Sequence, residues 1–115
     1  MIRAKVYRHQ DEICGFLLKG HAGQAKYGKD IVCAAVTVLV LNTVNAIDKF
    51  CDCTFTCEAD EVNGGFIRAE FPQGAWKDEK VQLLLQSMVL GLSDLATEYK
   101  RYITLEYEEV QLCSD

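Results

Sequence analysis

The sequence predicts an α/β fold of the α+β type: a two-layer sandwich in which a mixed or antiparallel sheet of about five strands carries two helices. Three observations lead there. Segments that alternate polar and apolar residues come in adjacent pairs, as hairpins do, rather than singly between helices. Two longer segments repeat apolar residues at helical spacing. The chain is 115 residues long, half apolar and a quarter charged, which suits one domain with one modest core. There is a single proline, no Ser- or Gly-rich linker and no repeat of fixed period, so residues 1–115 read as one domain.

In chain order the elements read β-β-α-β-β-α-β. Ile2–Arg8 alternates, with Ile2, Ala4 and Val6 on one face and Arg3, Lys5 and Tyr7 on the other. The polar turn Gln10–Glu12 joins it to a second strand, Ile13–Lys19. Gly20–Lys29 then holds Gly20, Gly23 and Gly28 and almost no large apolar anchor, the composition of a mobile or unusually shaped loop. Asp30 is an N-cap candidate for a helix running to about Phe50. Its stripe is Val32, Ala35, Val36, Leu39, Thr43, Ala46 and Ile47; Val38, Val40 and Leu41 lie outside it and form a second face for a dimer partner or another helix to cover. Cys51–Glu58 alternates as a strand, Val62–Gly65 is a turn, and Phe66–Phe71 returns as the next strand. Asp78 caps a second helix carrying Val81, Leu84, Leu85, Met88, Leu92, Leu95 and Tyr99. Tyr102–Tyr107 is the closing strand, and Glu108–Asp115 an acidic tail.

Charge and cysteine content narrow the function. Seventeen acidic against 12 basic side chains give a net charge of -5, which opposes non-specific phosphate binding and favours basic peptides or protein surfaces. Nucleic acid is therefore not expected as a direct partner. The chain opens on strand alternation rather than an apolar leader, and the run Ile31–Leu41 is too short to span a bilayer. The expectation is a cytoplasmic protein without a membrane partner. In that compartment six cysteines point to free thiols, metal binding or catalysis before disulfides.

Cys33 and His21 are the pair of interest. A cysteine acts as nucleophile through its thiolate, which the opening turn of a helix favours by its free N–H groups and dipole. With Asp30 as cap, Cys33 is the third helical residue. His21, 12 residues upstream across the glycine segment, is within reach to hold the thiolate as an ion pair and protonate a leaving amine. N–H groups at the helix start, that of Cys33 among them, offer an oxyanion hole. The competing reading is a buried structural thiol, since Cys33 sits among Val32, Ala34, Ala35 and Val36.

The stretch Gly20-His21-Ala22-Gly23-Gln24-Ala25, followed by Gly28-Lys29-Asp30-Ile31-Val32-Cys33-Ala34-Ala35-Val36, resembles the signature of the bacterial ribosomal-processing cysteine proteases (Prp). Leu83-Leu84-Leu85, Leu90-Gly91-Leu92, Tyr99 and Tyr102-Ile103 are similar to that family's second helix and final strand, so the likeness spans essentially the whole chain. The resemblance implies a cysteine endopeptidase, a hydrolase of ribosome biogenesis. It would remove an N-terminal extension from the large-subunit ribosomal protein numbered twenty-seven, cutting after a hydrophobic, Phe-rich stretch. The matching positions make Cys33 the nucleophile and His21 the general base and acid, with Asp30 a possible orienter of His21 as well as a cap. Gly20, Gly23 and Gly28 belong to a loop that orders around substrate, and the family's members are homodimers. The partner implied is the ribosomal protein precursor; no cofactor and no metal enter this reading. The sequence departs from the family's usual aromatic at Gln24, where Tyr27 is a possible substitute, and from its common serine at Thr37, which keeps a hydroxyl.

The other thiols compete weakly. Cys51, Cys53 and Cys57 lack the paired spacing of a zinc site and share one strand face with Phe55, where three small side chains simply pack. Cys14 lies in the second strand, Cys113 near the C-terminus, and His9 at the hairpin turn. Two alternatives stand beside the protease: a non-catalytic assembly factor that binds the same ribosomal protein without cutting it, and a structural thiol or zinc protein.

Overall fold

The computed structural model describes residues 1–20, 29–60 and 64–111, with residues 29 and 30 described by backbone only. The elements are β1 (Ile2–His9), β2 (Glu12–Lys19), α1 (Lys29–Phe50), β3 (Thr56–Ala59), β4 (Phe66–Glu70), α2 (Gln73–Trp76), α3 (Glu79–Glu98) and β5 (Ile103–Glu109). The strands form one sheet in the order β3-β4-β2-β1-β5. Neighbours are antiparallel except β1 and β5, which run parallel, so the sheet is mixed as the sequence predicts.

Register explains the two layers. Val6 pairs with Phe16 and Phe16 with Ala69, while Ala4 pairs with Leu18 and Leu18 with Ile67. Ile2 and Ala4 pair with Ile103 and Leu105 on the other side. Side chains directly opposite in a sheet share a face, so one face is apolar throughout. Ile2, Ala4, Val6, Phe16, Leu18, Ala69 and Ile103 are all buried on it. Val32, Val36, Val40, Thr43 and Ile47 of α1 and Val81, Leu85, Met88 and Leu92 of α3 complete the core. Each such apolar side chain contributes about 1.5–3 kcal/mol by leaving water. The helices approach closely at Gly91, where a Cβ would stand 2.7 Å from a Leu39 methyl.

Several boundaries differ from expectation for physical reasons. Helix α1 starts at Lys29, so Asp30 is its second residue and does not cap it. The apolar run begins only at Ile31, so the sequence pattern carries no trace of the two residues before it. Val40, expected outside the stripe, is fully buried, whereas Val38 is two-thirds exposed. The strand expected over Cys51–Glu58 forms only at Thr56–Ala59, where β4 supplies partners. Before that, the Cys51 N–H still donates to the Ile47 carbonyl, and Phe55 stacks on Phe71 at 4.8 Å. Cys57 is exposed rather than packed beside Phe55. The one-turn helix α2 adds an element that four residues are too few to announce by periodicity, and it buries Trp76. Glu108 and Glu109, expected in a tail, are strand residues of β5.

Asp78 caps α3 as expected: its carboxylate accepts from the N–H groups of Lys80 at 2.7 Å and Val81 at 3.3 Å. Buried Gln82 ties this helix to the sheet, accepting from the Ile13 N–H and donating to the carbonyls of Ile13 and Trp76. The helix that holds the apolar run Ile31–Leu41 continues to Phe50. By length and composition alone, Ile31–Phe50 would pass as a membrane span, a test that the core helix of a sandwich also passes.

Candidate active site

Cys33 lies one step around α1 from the buried stripe. Val32 and Val36 point into the core, Ile31 and Ala34 into solvent, and Cys33 falls between them, half-buried. There it lines a cleft of about 330 Å³. One wall is α1 itself, with Val36 and, one helical turn beyond Cys33, the exposed Thr37. The other is the end of the sheet: Ile2 of β1, Leu18 of β2, and Phe66 and Ile67 of β4. The walls are thus mainly apolar, with a thiol and a hydroxyl on the helical side.

Glycines close the sheet end of this cleft. Gly20 has φ of 94°, its N–H donates to the Gly65 carbonyl at 2.8 Å, and a Cβ there would stand 2.4 Å from the Met1 carbonyl oxygen. Gly64 and Gly65 also have positive φ, at 68° and 75°. This conformation favours glycine, so the chain leaving β2 is held against the 64–65 turn by backbone alone.

The helix start sets what the backbone can donate. By the i→i−4 rule the Cys33 N–H belongs to the Lys29 carbonyl, and Cys33 is the fifth helical residue rather than the third. The N–H expected in an oxyanion hole thus falls inside the helical ladder, and the groups outside that ladder are those of the first turn. Of the other expected site residues, Gly20 lies at the cleft. His21, Gly23 and Gly28, together with Gln24, Tyr27 and Cys113, lie outside the described residues, and Asp30 is placed by its backbone alone.

Two further clefts hold cysteines. One of about 450 Å³ contains Cys14 beside Tyr7, Phe71 and Trp76, and one of about 470 Å³ contains Cys53 and Cys57. Burial pushes the Cys14 thiol up, as it does those of Cys51 and Cys53, where Asp78 adds to the effect. Desolvation and then Glu58 raise Cys57. Thiols held neutral are poor nucleophiles. The Cys14 S–H also donates to the Tyr7 carbonyl at 3.5 Å. None of the five described cysteines is in a disulfide, and among the described residues no three His, Cys, Asp or Glu side chains are grouped to hold a metal ion. His9, expected at the surface, is instead partly buried against Trp76, with its Nδ1 3.1 Å from the Val110 carbonyl.

Sequence reasoning missed the cleft walls. Ile2, Leu18, Val36 and Ile67 read as core positions, and Gly64-Gly65 as a turn. Only the pairing of Gly20 with Gly65 reveals that these residues end beside Cys33.

Comparison with known proteins gives the same chemistry. The family model described as cysteine protease Prp matches residues 1–104. The ribosomal processing cysteine protease Prp of Bacillus subtilis is 35% identical over 103 residues, covering 87% of this chain and 91% of the relative. That of Staphylococcus aureus is 29% identical, covering 86% and 91%. Among solved structures, a Streptococcus mutans protein superposes with a TM-score of 0.86 at 38% identity, covering 96% of each chain. The S. aureus protease with a covalently linked product peptide gives 0.84 at 28% identity, covering 94% of this chain and all of that one. A mixed sheet carrying two long helices, and a family match over nearly the whole length, make this chain a member of the Prp family of cysteine proteases.

Proposed function

We propose that this protease removes the N-terminal extension of the large-subunit ribosomal protein numbered twenty-seven, in the cytoplasm, with Cys33 as nucleophile and His21 as its acid–base partner. The observation that carries the reading is the position of Cys33 on the wall of an apolar cleft, two turns or less from the start of α1. The Cys33 thiolate attacks the scissile carbonyl; a C–S bond forms and the charge moves to oxygen, facing the free N–H groups of the helix start. Collapse breaks the C–N bond, and the His21 imidazolium gives its proton to the departing amine. Water, deprotonated by His21, then cleaves the thioester. Asp30 orients His21, and Gly20, Gly23 and Gly28 let the intervening loop close over the peptide.

Leu18, Val36 and Ile67 suit a hydrophobic, Phe-rich recognition stretch, because burying each aromatic side chain in such a cleft is strongly favourable. The S. aureus relative has been captured with a substrate peptide and with a covalently linked product peptide, as nucleophilic catalysis requires. The exposed Ile31, Val38 and Leu41 run along one side of α1 and support a homodimer.

The test is incubation of the full chain with the extended ribosomal protein, followed by mass spectrometry. Loss of the leader mass with wild type, and an unchanged mass with Cys33→Ala and His21→Ala, is the expected result. Normal processing by Cys33→Ala would overturn the mechanism. Retained binding with no cleavage by wild type would favour a non-catalytic assembly factor.

A further inference from the structure

On the sheet face opposite α1 and α3, the end that carries Arg3 and Lys19 is exposed, and register arranges the side chains of that face in rows. Phe66, Lys19, Arg3 and Thr104 form one row; Glu58, Arg68, Leu17, Lys5 and Glu106 form the next. Four of the chain's 12 basic side chains therefore stand together at the end of one face, while Glu70 and Glu108 fall in the row beyond. The net charge of -5 describes the whole surface and conceals this segregation.

We propose that this block binds the phosphate backbone of single-stranded RNA. Lys5 and Arg68 have carboxylate partners, Glu108 at 3.6 Å and Glu70. Arg3 and Lys19 are exposed, stand directly opposite one another, and are in no ion pair among the described residues. Like charges opposed across two strands are destabilising, and a bound anion removes that repulsion. Arg3, Lys5 and Lys19 border a groove of about 240 Å³ that has Leu17 in its wall and Glu106 at its side. Neighbouring cations on such a lattice are roughly 5–7 Å apart, so successive phosphates of one strand meet them together. Half-buried Leu17 lies between Arg68 and Lys5, half-buried Phe66 lies beside Lys19, and both offer apolar surface to bases. An acidic peptide would leave that surface unused, which favours the nucleic acid. The proposal does not depend on the role of Cys33.

The experiment is fluorescence anisotropy of a labelled oligouridylate with the full chain at several salt concentrations. Three phosphate contacts predict a slope of log K against log salt near −2, or about a twentyfold weakening from 50 to 200 mM salt. The Arg3→Gln/Lys19→Gln double variant should show a slope nearer −0.7 and about a threefold weakening over that range, while cutting a short leader peptide normally. No binding by wild type at 50 mM salt would overturn the proposal, as would equal binding by the double variant. Polyglutamate competing as well as unlabelled RNA would assign the face to acidic peptides instead. If the double variant also fails to cut the peptide, Arg3→Gln and Lys19→Gln are measured singly. A single variant that cuts normally yet binds RNA like wild type overturns the proposal, and one with a shallower salt slope supports it.

Discussion

Helix α1 carries a cysteine near each end, Cys33 in its opening turns and Cys51 just past its last, and the two ends treat the same side chain differently. At the start, the first N–H groups lie outside the helix's own hydrogen-bond ladder. Cys33 stands there half-buried on a cleft wall, next to a glycine-held turn. At the finish, unpaired carbonyls disfavour an anion, and Cys51 is buried with Asp78 nearby. Cys53 adds the charges of Asp52 and Asp48 to its own desolvation. Composition counts six equal thiols, and the fold gives those at the two ends of α1 different surroundings.

The largest effect that sharpens this contrast is catalytic. Cys33→Ala should lower peptide cleavage by roughly a thousandfold or more, whereas Cys51→Ala and Cys53→Ala keep their activity in the same assay; an inactive Cys53→Ala protein that still folds would break the contrast. Next in size is a backbone test at the cleft end. Gly20→Ala puts a side chain at φ 94° and against the Met1 carbonyl, and should cost about 1–3 kcal/mol in urea denaturation. At the opposite end of the fold, Asp78→Ala removes the cap of α3 and should cost about 1 kcal/mol by the same measurement. Peptide mapping after brief iodoacetamide treatment near pH 7 should find Cys33 labelled ahead of Cys14, Cys51, Cys53 and Cys57, and equal labelling would erase the distinction.

The smallest effect is on alkaline stability. Cys14, Cys51 and Cys53 have folded values raised above the ordinary 9.0, so the folded chain holds these protons more tightly than the unfolded one. Their contribution is intact below pH 9 and is lost as pH climbs through the raised values. Urea midpoints should therefore fall between pH 9 and 11, by less in a Cys51→Ala variant than in wild type.

Legibility followed burial. β1, β2 and β4 announced themselves by alternation, because one face of each is buried and the other is not. The Asp78 cap was equally plain, since a carboxylate ahead of an apolar helical pattern has a local partner two and three residues on. Lys29, which opens α1 ahead of the apolar run, left no signal. The length of β3 was illegible as well, because it depends on which residues of β4 are left to pair. At the candidate site, Cys33 and Gly20 could be singled out from type and spacing. The apolar walls around them could not, since Leu18 and Ile67 look like any other strand residues until β2 and β4 are placed side by side.

By itself, the order of residues determined the hairpins and the two long helices and singled out Cys33 as a candidate, because each rests on periodicity or on neighbours a few positions away. Only the tertiary structure decided that Gly20 meets Gly65, that Ile2 and Ile67 line the same cleft as Cys33, and that Arg3 faces Lys19. Those contacts join residues far apart in the chain. Strand register sets them, and register is chosen by the burial of the whole sheet face rather than by any one segment.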